Sequence, residues 1–294
     1  MLYESLLKLW WEEYRNSLLD TTRHHKEMEM RVHIIPELGN IQIKKINQKV
    51  IQQFINTKMQ TVAPSSIKRF YNIINPSFRW AVEKKLMKYN PAENVTLPKV
   101  TPKEVETFSP DEIKCLIEAA RPKWLGDIIN LAYRTGMRRG EIYGLKKDDI
   151  SFDDKFLMVR RTVSALQPGD FLVHHPKTKR STRRISLDDT STEILKKRTE
   201  NSSSEWVFVN QYGNPISPWY NTKYMHDACV KAGIRPRCFH TLRHTHATVL
   251  LAKGVHPKIV QERLGHSNIN MTLNIYSHVL PTMQGAAVDV FNKL

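Results

Sequence analysis

The chain has 294 residues, with 45 lysines and arginines against 29 aspartates and glutamates, and a formal net charge of +16. That excess favours a polyanion as partner, and nucleic acid is the expected one. No apolar run reaches the ~18 residues that a membrane-spanning helix requires. The three cysteines show no metal-ligand spacing. The composition therefore excludes a helical membrane span, predicts neither a disulfide nor a zinc site, and favours a reduced cytoplasm.

The first hundred residues are predicted to be helical throughout. Apolar residues recur there at helical spacing, as at Ile67 and Phe70. The predicted helices cover residues 2–18, 22–35, 48–59 and 65–85. We expect Pro36 with Gly39 to separate the second helix from the third, and Pro76 to kink or divide the last one.

A stretch without periodicity, residues 97–103, holds two prolines and is the predicted connection between two domains. After it, Ser109-Pro110-Asp111-Glu112 supplies a capping serine, a first-turn proline and a capping-box glutamate ahead of an apolar helix. The expected boundaries are 1–97 for a helical domain, 98–108 for the linker and 109–294 for a second domain.

Part-way along the second domain, the spacing of apolar residues changes from that of helices to that of strands. A helix predicted over 126–134 ends at Gly136, and strands are predicted over 155–162, 171–175 and 184–187. Helical patterns return from Thr190, with Gly233, Gly254 and Gly265 placed to end helices. The sequence therefore predicts a mainly α fold with a small antiparallel β-sheet, in which the second of two domains is mixed α/β.

Two arginine motifs flank the predicted strands. His240 and Arg243 lie three residues apart in a predicted helix, so both side chains emerge on one face. Arginine offers a planar fork of donors that suits two oxygens of a phosphate. Arg138 follows the end of a predicted helix, and Glu141, one helical turn on, could hold its guanidinium. Each motif by itself is typical of an ordinary surface, and Arg139 rivals Arg138.

A basic segment, residues 174–184, lies between the second and third predicted strands, where we expect it to form the tip of a hairpin. A tip so cationic would repel itself unless a polyanion lay across it. Lys179, Arg180 and Arg183 are therefore candidates for contacts with DNA. The ordinary alternative is a solvated run of charge.

Tyr276 ends an apolar stretch, where a tyrosine ordinarily packs into the core. His266 before it and the two arginine motifs make another role available, attack of the phenol on a phosphodiester. A phenol has a pKa of about 10, so it needs a base or a strongly cationic pocket. His240 and the arginines could supply both.

Four motifs together resemble the tyrosine recombinases, or phage-integrase family, whose catalytic fold is related to that of type IB topoisomerases. They are TGMRRGEIYGL (135–145), HPKTKRSTRRISL (175–187), HTLRHTHAT (240–248) and LGHSNINMTLNIYSH (264–278). They occur in the family's order, at about its spacing, and span the second domain. The first hundred residues resemble the family's helical core-type DNA-binding domain.

The resemblance implies a reaction at Tyr276, which would attack the scissile phosphate and become joined to the 3′ end of the broken strand. Arg138 and Arg243 would hold the non-bridging oxygens in the transition state. His240 would handle the tyrosine's proton.

The remaining roles follow from the same resemblance. Lys177 would protonate the departing 5′ oxygen, with Lys179 as its rival, and His266 would donate to the phosphate. Glu141 is expected to support the site without touching DNA. Lys147 stands where the family often has an aromatic residue, a departure that concerns packing more than chemistry.

The resemblance also implies partners and the absence of a cofactor. The phosphotyrosine bond stores the energy for rejoining, so neither metal nor nucleotide is expected. The partners are double-stranded DNA attachment sites and three further copies of the chain, which would exchange their tails, residues 277–294, in a tetramer on DNA. A directionality factor or a host DNA-bending protein is a further candidate, and a phage or other mobile element in a bacterial cytoplasm is the expected setting.

Three alternatives stay open at this point. A metal-dependent phosphoesterase could use His240, His244, His246 and His266, although no carboxylate motif accompanies them. A non-catalytic DNA-binding regulator would explain the charge and the two domains. A relaxing topoisomerase shares the chemistry but usually lacks the small N-terminal domain.

Overall fold

The computed structural model describes residues 1–101, 106–175, 182–266, 268–270 and 273. The chain divides into two compact units, Met1–Lys103 and Glu104–Leu294. Each unit has a hydrophobic core of its own. Within the described ranges, no helix combines the length and the apolar character that crossing a bilayer demands.

The first unit is built from helices. They are α1 (Tyr3–Tyr14), α2 (Asp20–Glu29), a π-helix (Met30–Gly39), α3 (Gln48–Met59) and α4 (Pro64–Glu83), with short 3₁₀ turns at Arg15–Ser17 and Ile43–Lys45. Helices α1 and α4 pack together in the core, where the rings of Tyr3 and Phe78 stack at 4.6 Å. The Tyr3 hydroxyl lies 2.9 Å from Ser77 Oγ, which satisfies both buried groups.

Two prolines lie inside helices of this unit. Pro76 was expected to kink or divide α4, and the helix continues through it, so it is not divided. Proline lacks the N–H that would bond the carbonyl of Asn72, and Lys26 Nζ of α2 donates to that carbonyl instead, at 3.3 Å. The second helical stretch also continues past Pro36 to Gly39, as a π-helix. Its wider turn moves the proline ring away from the carbonyl four residues earlier.

The second unit joins helices to short strands. The helices are α5 (Pro110–Ala119), α6 (Lys123–Thr135), α7 (Arg139–Tyr143), α8 (Asp189–Glu200), α9 (Asn221–Lys231), α10 (His240–Ala252) and α11 (Pro257–Leu264); the strands are β1 (Ile150–Ser151), β2 (Phe156–Val159), β3 (Thr162–Ser164), β4 (Leu172–His174) and β5 (Arg183–Ser186). The predicted capping box opens α5, where Ser109 Oγ accepts from Glu112 N at 3.1 Å and Ser109 N donates to Glu112 Oε2 at 2.8 Å. The predicted fold class, mainly α with a small antiparallel sheet, is confirmed.

The strands form two small sheets instead of one. Strand β2 pairs antiparallel with β1 and β5, whereas β3 pairs with β4. The strand predicted over 155–162 is therefore two strands that separate at Arg160 and Arg161. At this break Arg161 pairs with the carboxylate of Asp149, which is 3% exposed.

This strand pairing also corrects the predicted hairpin. The strands before and after the basic segment are β4 and β5, and each pairs with a different partner in a different sheet. They are therefore not the two arms of one hairpin. Residues 176–181 between them lie outside the described residues.

Candidate active site

The end of α6 positions Arg138. Gly136 ends that helix in the left-handed conformation, at φ 67°, and Arg138 stands as the N-cap residue of α7. Its backbone N–H donates to Glu141 Oε2 at 2.8 Å, and its Nη1 donates to Glu141 Oε1 at 2.9 Å. The side chain stays 41% exposed, so the guanidinium is oriented by the carboxylate and still open to a ligand.

Glu141 has a second partner, Arg183 of β5. Arg183 donates from Nη1 to Oε1 at 2.9 Å and from Nη2 to Oε2 at 2.7 Å, a bidentate pair inside the protein. Burial alone would raise the pKa of Glu141, but the hydrogen bonds and charge of Arg183, with the charge of Arg138, lower it to about 2. Glu141 is therefore ionised at any working pH.

Arg243 lies between the ends of two helices. It is 2% exposed, and it donates from Nη1 to the carbonyl of Gly136 at 2.8 Å and from Nη2 to that of Leu264 at 2.7 Å. Burial and the nearby charge of Arg138 lower the pKa of Arg243 to about 9, which leaves it charged at neutral pH. Its position is fixed before any ligand binds.

The C-terminus of α11 holds all three guanidinium groups. Three successive carbonyls there each accept from one arginine: Arg263 from Arg183 Nε at 2.8 Å, Leu264 from Arg243 Nη2 at 2.7 Å, and Gly265 from Arg138 Nη2 at 3.4 Å. The last carbonyls of a helix lack helical partners and carry the negative end of its dipole. The α11 terminus therefore gathers cations that would otherwise repel one another.

Two imidazoles complete the described part of the site. His240 begins α10, and its ring meets that of His244 edge to face, with centroids 4.7 Å apart. His266 follows Gly265 directly. Desolvation and the charges of Arg243 and Arg138 lower the pKa of His266 to about 3, and desolvation, His244 and the same arginines lower that of His240 to about 4. Both imidazoles are neutral at neutral pH.

His246 of the same helix is engaged elsewhere. Its Nδ1 lies 2.7 Å from the carbonyl of Tyr133, and its Nε2 accepts from Arg263 Nε at 3.2 Å. Both nitrogens are thus used inside the protein. Across the described ranges, no group of three or more His, Cys, Asp or Glu side chains is placed to hold a metal ion.

The structure therefore brings together four of the residues that the sequence singles out for catalysis, Arg138, His240, Arg243 and His266, with Glu141 beside them. Four other candidate residues, Lys177, Lys179, Arg180 and Tyr276, lie outside the described residues, as does the tail 277–294.

Arg183, a candidate for DNA contact, is 8% exposed, and its partners are Glu141 and the Arg263 carbonyl. This geometry favours a role inside the protein. The alternation of buried and exposed positions along the strand is the sequence signal that would have placed Arg183 inside the protein. Arg183 is in phase with the buried Ile185 and Leu187, which points all three toward the core.

Comparison with known proteins decides the family. The profile of the phage integrase family matches residues 106–283, and that of the phage integrase N-terminal SAM-like domain matches residues 2–59. A tyrosine recombinase XerC-like protein of Caldanaerobacter subterraneus is 33% identical over 90% of this chain and 73% of its own. The chain belongs to the phage integrase family.

A second relative is itself named an integrase. The ICEBs1 integrase of Bacillus subtilis is 28% identical over 89% of this chain and 75% of its own. The integrase is a site-specific recombinase, an enzyme that cleaves and rejoins DNA. The alternatives of a non-catalytic regulator and a relaxing topoisomerase are not favoured.

Solved structures agree with the fold of the integrase. The Tn1549 transposon integrase in complex with circular intermediate DNA matches with a TM-score of 0.84 and 20% identity, over the whole of both chains. A lambda integrase dimer bound to a core site matches with a TM-score of 0.75 and 22% identity, over 92% of this chain and 97% of the other. Both likenesses concern the fold alone.

Proposed function

We propose that the integrase breaks DNA at its attachment sites through Tyr276 and leaves the 3′ phosphate joined to that side chain. The observation that carries this proposal is the pair Arg138 and Arg243, held by adjacent carbonyls of one helix end beside two neutral imidazoles. Two fixed guanidinium groups suit the two non-bridging oxygens of a phosphodiester.

The proposed reaction has two proton transfers. The Tyr276 oxygen forms a bond to phosphorus while its proton passes to the neutral His240, which has a lone pair to accept it. The bond from phosphorus to the 5′ oxygen breaks, and Lys177 protonates that oxygen as it leaves. Attack by a 5′ hydroxyl of another duplex reverses both transfers and rejoins the strand. No nucleotide is consumed.

The other site residues would stabilise the transition state. Arg138 and Arg243 take up the charge that builds on the pentacoordinate phosphorus, and His266 donates a hydrogen bond to the same group. Donors that are fixed in advance stabilise such charge without reorganisation, by about 3–4 kcal/mol each in measured cases. Arg243 meets that condition because its burial and two carbonyl bonds fix it in the free protein.

The proposed substrate is a pair of double-stranded DNA attachment sites of a phage or other mobile element. A lambda integrase tetramer has been solved on a Holliday junction, which supports a tetramer on DNA for this chain. The tail 277–294 would then pass between neighbouring copies. We further propose residues 1–97 as the core-type DNA-binding domain, 98–108 as the linker and 109–294 as the catalytic domain. A directionality factor or a DNA-bending protein would complete the assembly.

A nicked suicide duplex carrying the attachment site tests the proposal, because loss of the short cleaved strand prevents rejoining. We expect the integrase to form a covalent adduct with that DNA, and Tyr276→Phe to form none. Tyr212→Phe is the matched control, since Tyr212 is 78% exposed and lies outside the proposed site. An adduct formed by Tyr276→Phe contradicts the mechanism.

A further inference from the structure

Arg183 is a buried cation that the proposed reaction does not use. Strand β5 alternates buried and exposed positions, and Arg183 takes the inward direction while Arg184 is exposed. The Arg183 side chain is 6% exposed, and its Nε, Nη1 and Nη2 each donate to a protein oxygen at 2.7–2.9 Å. A guanidinium so enclosed cannot reach a DNA phosphate without breaking these bonds.

The carboxylate of Glu141 is shared between two guanidinium groups. Its Oε1 accepts from Arg138 Nη1 and from Arg183 Nη1, both at 2.9 Å. Arg183 is the bidentate partner, whereas the Arg138 guanidinium gives Glu141 one donor and keeps 41% of its side chain exposed. The buried Arg183 therefore balances the charge of the Glu141 carboxylate, and Arg138 keeps its positive charge on the solvent-exposed side of the site.

We propose that Arg183 is a positioning residue for DNA cleavage. Its two bonds to Glu141 leave one edge of the Arg138 guanidinium available for the scissile phosphate. Its bond to the Arg263 carbonyl also fixes the C-terminus of α11, which holds Arg243. The inference rests on the proposed function of the arginine pair and adds a residue that acts through Arg138 without contacting DNA.

Removing Arg183 should redirect Glu141 toward Arg138. The buried Glu141 carboxylate would be left with Arg138 as its single partner. The Arg138 guanidinium would then bind both carboxylate oxygens and would no longer be available to the phosphate. Among the described residues, the charged and titratable groups that face Glu141 are Arg138 from the start of α7, Arg183 from β5, and His240 with Arg243 from α10. Without Arg183 the pKa of Glu141 should rise, because burial remains and the largest opposing contribution is lost.

The test is Arg183→Met, assayed by single-turnover cleavage of the nicked suicide duplex at saturating protein from pH 5 to pH 8. We expect DNA affinity to stay within about 2-fold while cleavage at pH 8 falls about 10²-fold, the loss typical of one fixed transition-state donor. Relative to the wild type at the same pH, the rate of this variant should then increase as pH falls, because protonation of Glu141 releases Arg138. Arg183→Met/Glu141→Gln should restore at least about 10-fold of the rate at pH 8, since the competing charge is gone.

Arg184→Met is the matched control. Arg184 is the next residue of the strand, exposed, with its guanidinium 3.7 Å from the ring centroid of Phe156. This variant should keep the wild-type dependence of cleavage on pH. If circular dichroism shows that Arg183→Met is unfolded, the double variant carries the test, since it buries neither charge, and a folded double variant without cleavage overturns the proposal.

Two further results would overturn it. Weaker DNA binding by Arg183→Met with an unchanged cleavage rate at saturation would make Arg183 a DNA contact. Equal, pH-independent loss in the single and double variants would make it a packing residue only. Absence of a Tyr276 adduct in the wild type would instead remove the proposed function, so the two failures are distinguishable.

Discussion

Burial and nearby positive charge set the protonation of His240 and His266. Desolvation, with the charge of neighbouring guanidinium groups, lowers the two pKa values to about 4 and about 3. An imidazole that is neutral at working pH can accept a proton, whereas a cationic one cannot. The arrangement therefore leaves His240 able to take the base role, and the neutral His266 still has an N–H to donate.

Cleavage should lose rate as pH falls through the pKa of His240. The free protein places that pKa at about 4, and a bound phosphate, being negative, should raise it toward 6.5. Single-turnover rates measured from pH 4.5 to pH 8 should therefore fall on the acid side with a midpoint between about 4 and 6.5. His240→Gln should lower the plateau by about 10²- to 10⁴-fold and remove this dependence.

His226→Gln is the control, since His226 lies on α9 and is 60% exposed. Burial also lowers the pKa of His246 to about 4. Between about pH 6.5 and pH 4 the unfolded chain therefore binds more protons than the folded chain, and the free energy of unfolding decreases as pH falls. Circular dichroism at each pH separates unfolding from the catalytic effect. An acid limb that persists in His240→Gln, or a midpoint above 6.5, contradicts the base role.

At the level of elements, the C-terminus of α11 organises the site. It is tied to the rest of the unit through Arg263, which donates to the carbonyls of Ser186 and Arg134 at 3.1 Å. Its carbonyls then hold three guanidinium groups, and Gly265 makes this possible. At φ 67° that residue turns the chain away from the helix, and a Cβ there would lie 3.0 Å from Arg183 Cδ.

Gly265→Ala should therefore damage activity beyond its effect on stability. Any L-residue in the left-handed conformation costs about 1–2 kcal/mol. Gly254→Ala is the matched control, because Gly254 has φ 79° and a Cβ added there would meet no atom of the described residues within 4 Å. Both variants should lose similar free energy of unfolding in urea. With each variant assayed about 20 °C below its own melting temperature, the cleavage rate of Gly265→Ala should fall about 10-fold or more if one arginine shifts, whereas Gly254→Ala should keep its rate.

Equal cleavage by the two folded glycine variants would show that Arg183 tolerates the added methyl group. In that case the carbonyls of α11 would not set the positions of the arginines as tightly as their distances suggest.

At the level of the molecule, the two units have separate cores and share a net charge of +16. Lysines and arginines occur along the whole sequence, so both units are expected to contact the DNA backbone. The site arginines form a small part of that charge. Binding and cleavage should therefore respond differently to changes at the site.

DNA affinity should depend steeply on salt. Each phosphate neutralised contributes a slope of about −0.9 in log K against log salt, so six to ten contacts predict roughly −5 to −9. Fluorescence anisotropy with a labelled attachment-site duplex from about 50 to 300 mM KCl measures the slope. Tyr276→Phe should keep it, since the lost hydroxyl is uncharged, and Arg243→Lys should change it by less than about 1 while reducing cleavage. A slope shallower than about −2 contradicts a charge-driven interface.

Local signals in the sequence determined much of this protein. The capping box at Ser109, the helix end at Gly136 and the grouping of His240 with Arg243 each depend on residues within one or two turns of each other. Such short-range patterns are set by backbone geometry, and the order of the motifs was enough to indicate the family. The fold class followed from the same periodicities.

Only the tertiary structure decided which distant groups meet. Glu141 and Arg183 are 42 residues apart, and the Asn72 carbonyl that Pro76 leaves unbonded is satisfied by Lys26 from another helix. Arg161, where β2 and β3 separate, likewise meets the buried carboxylate of Asp149, 12 residues earlier. Periodicity reports which face of an element is buried but not which partner it meets, because the partner is chosen by packing and by the need to satisfy buried charge.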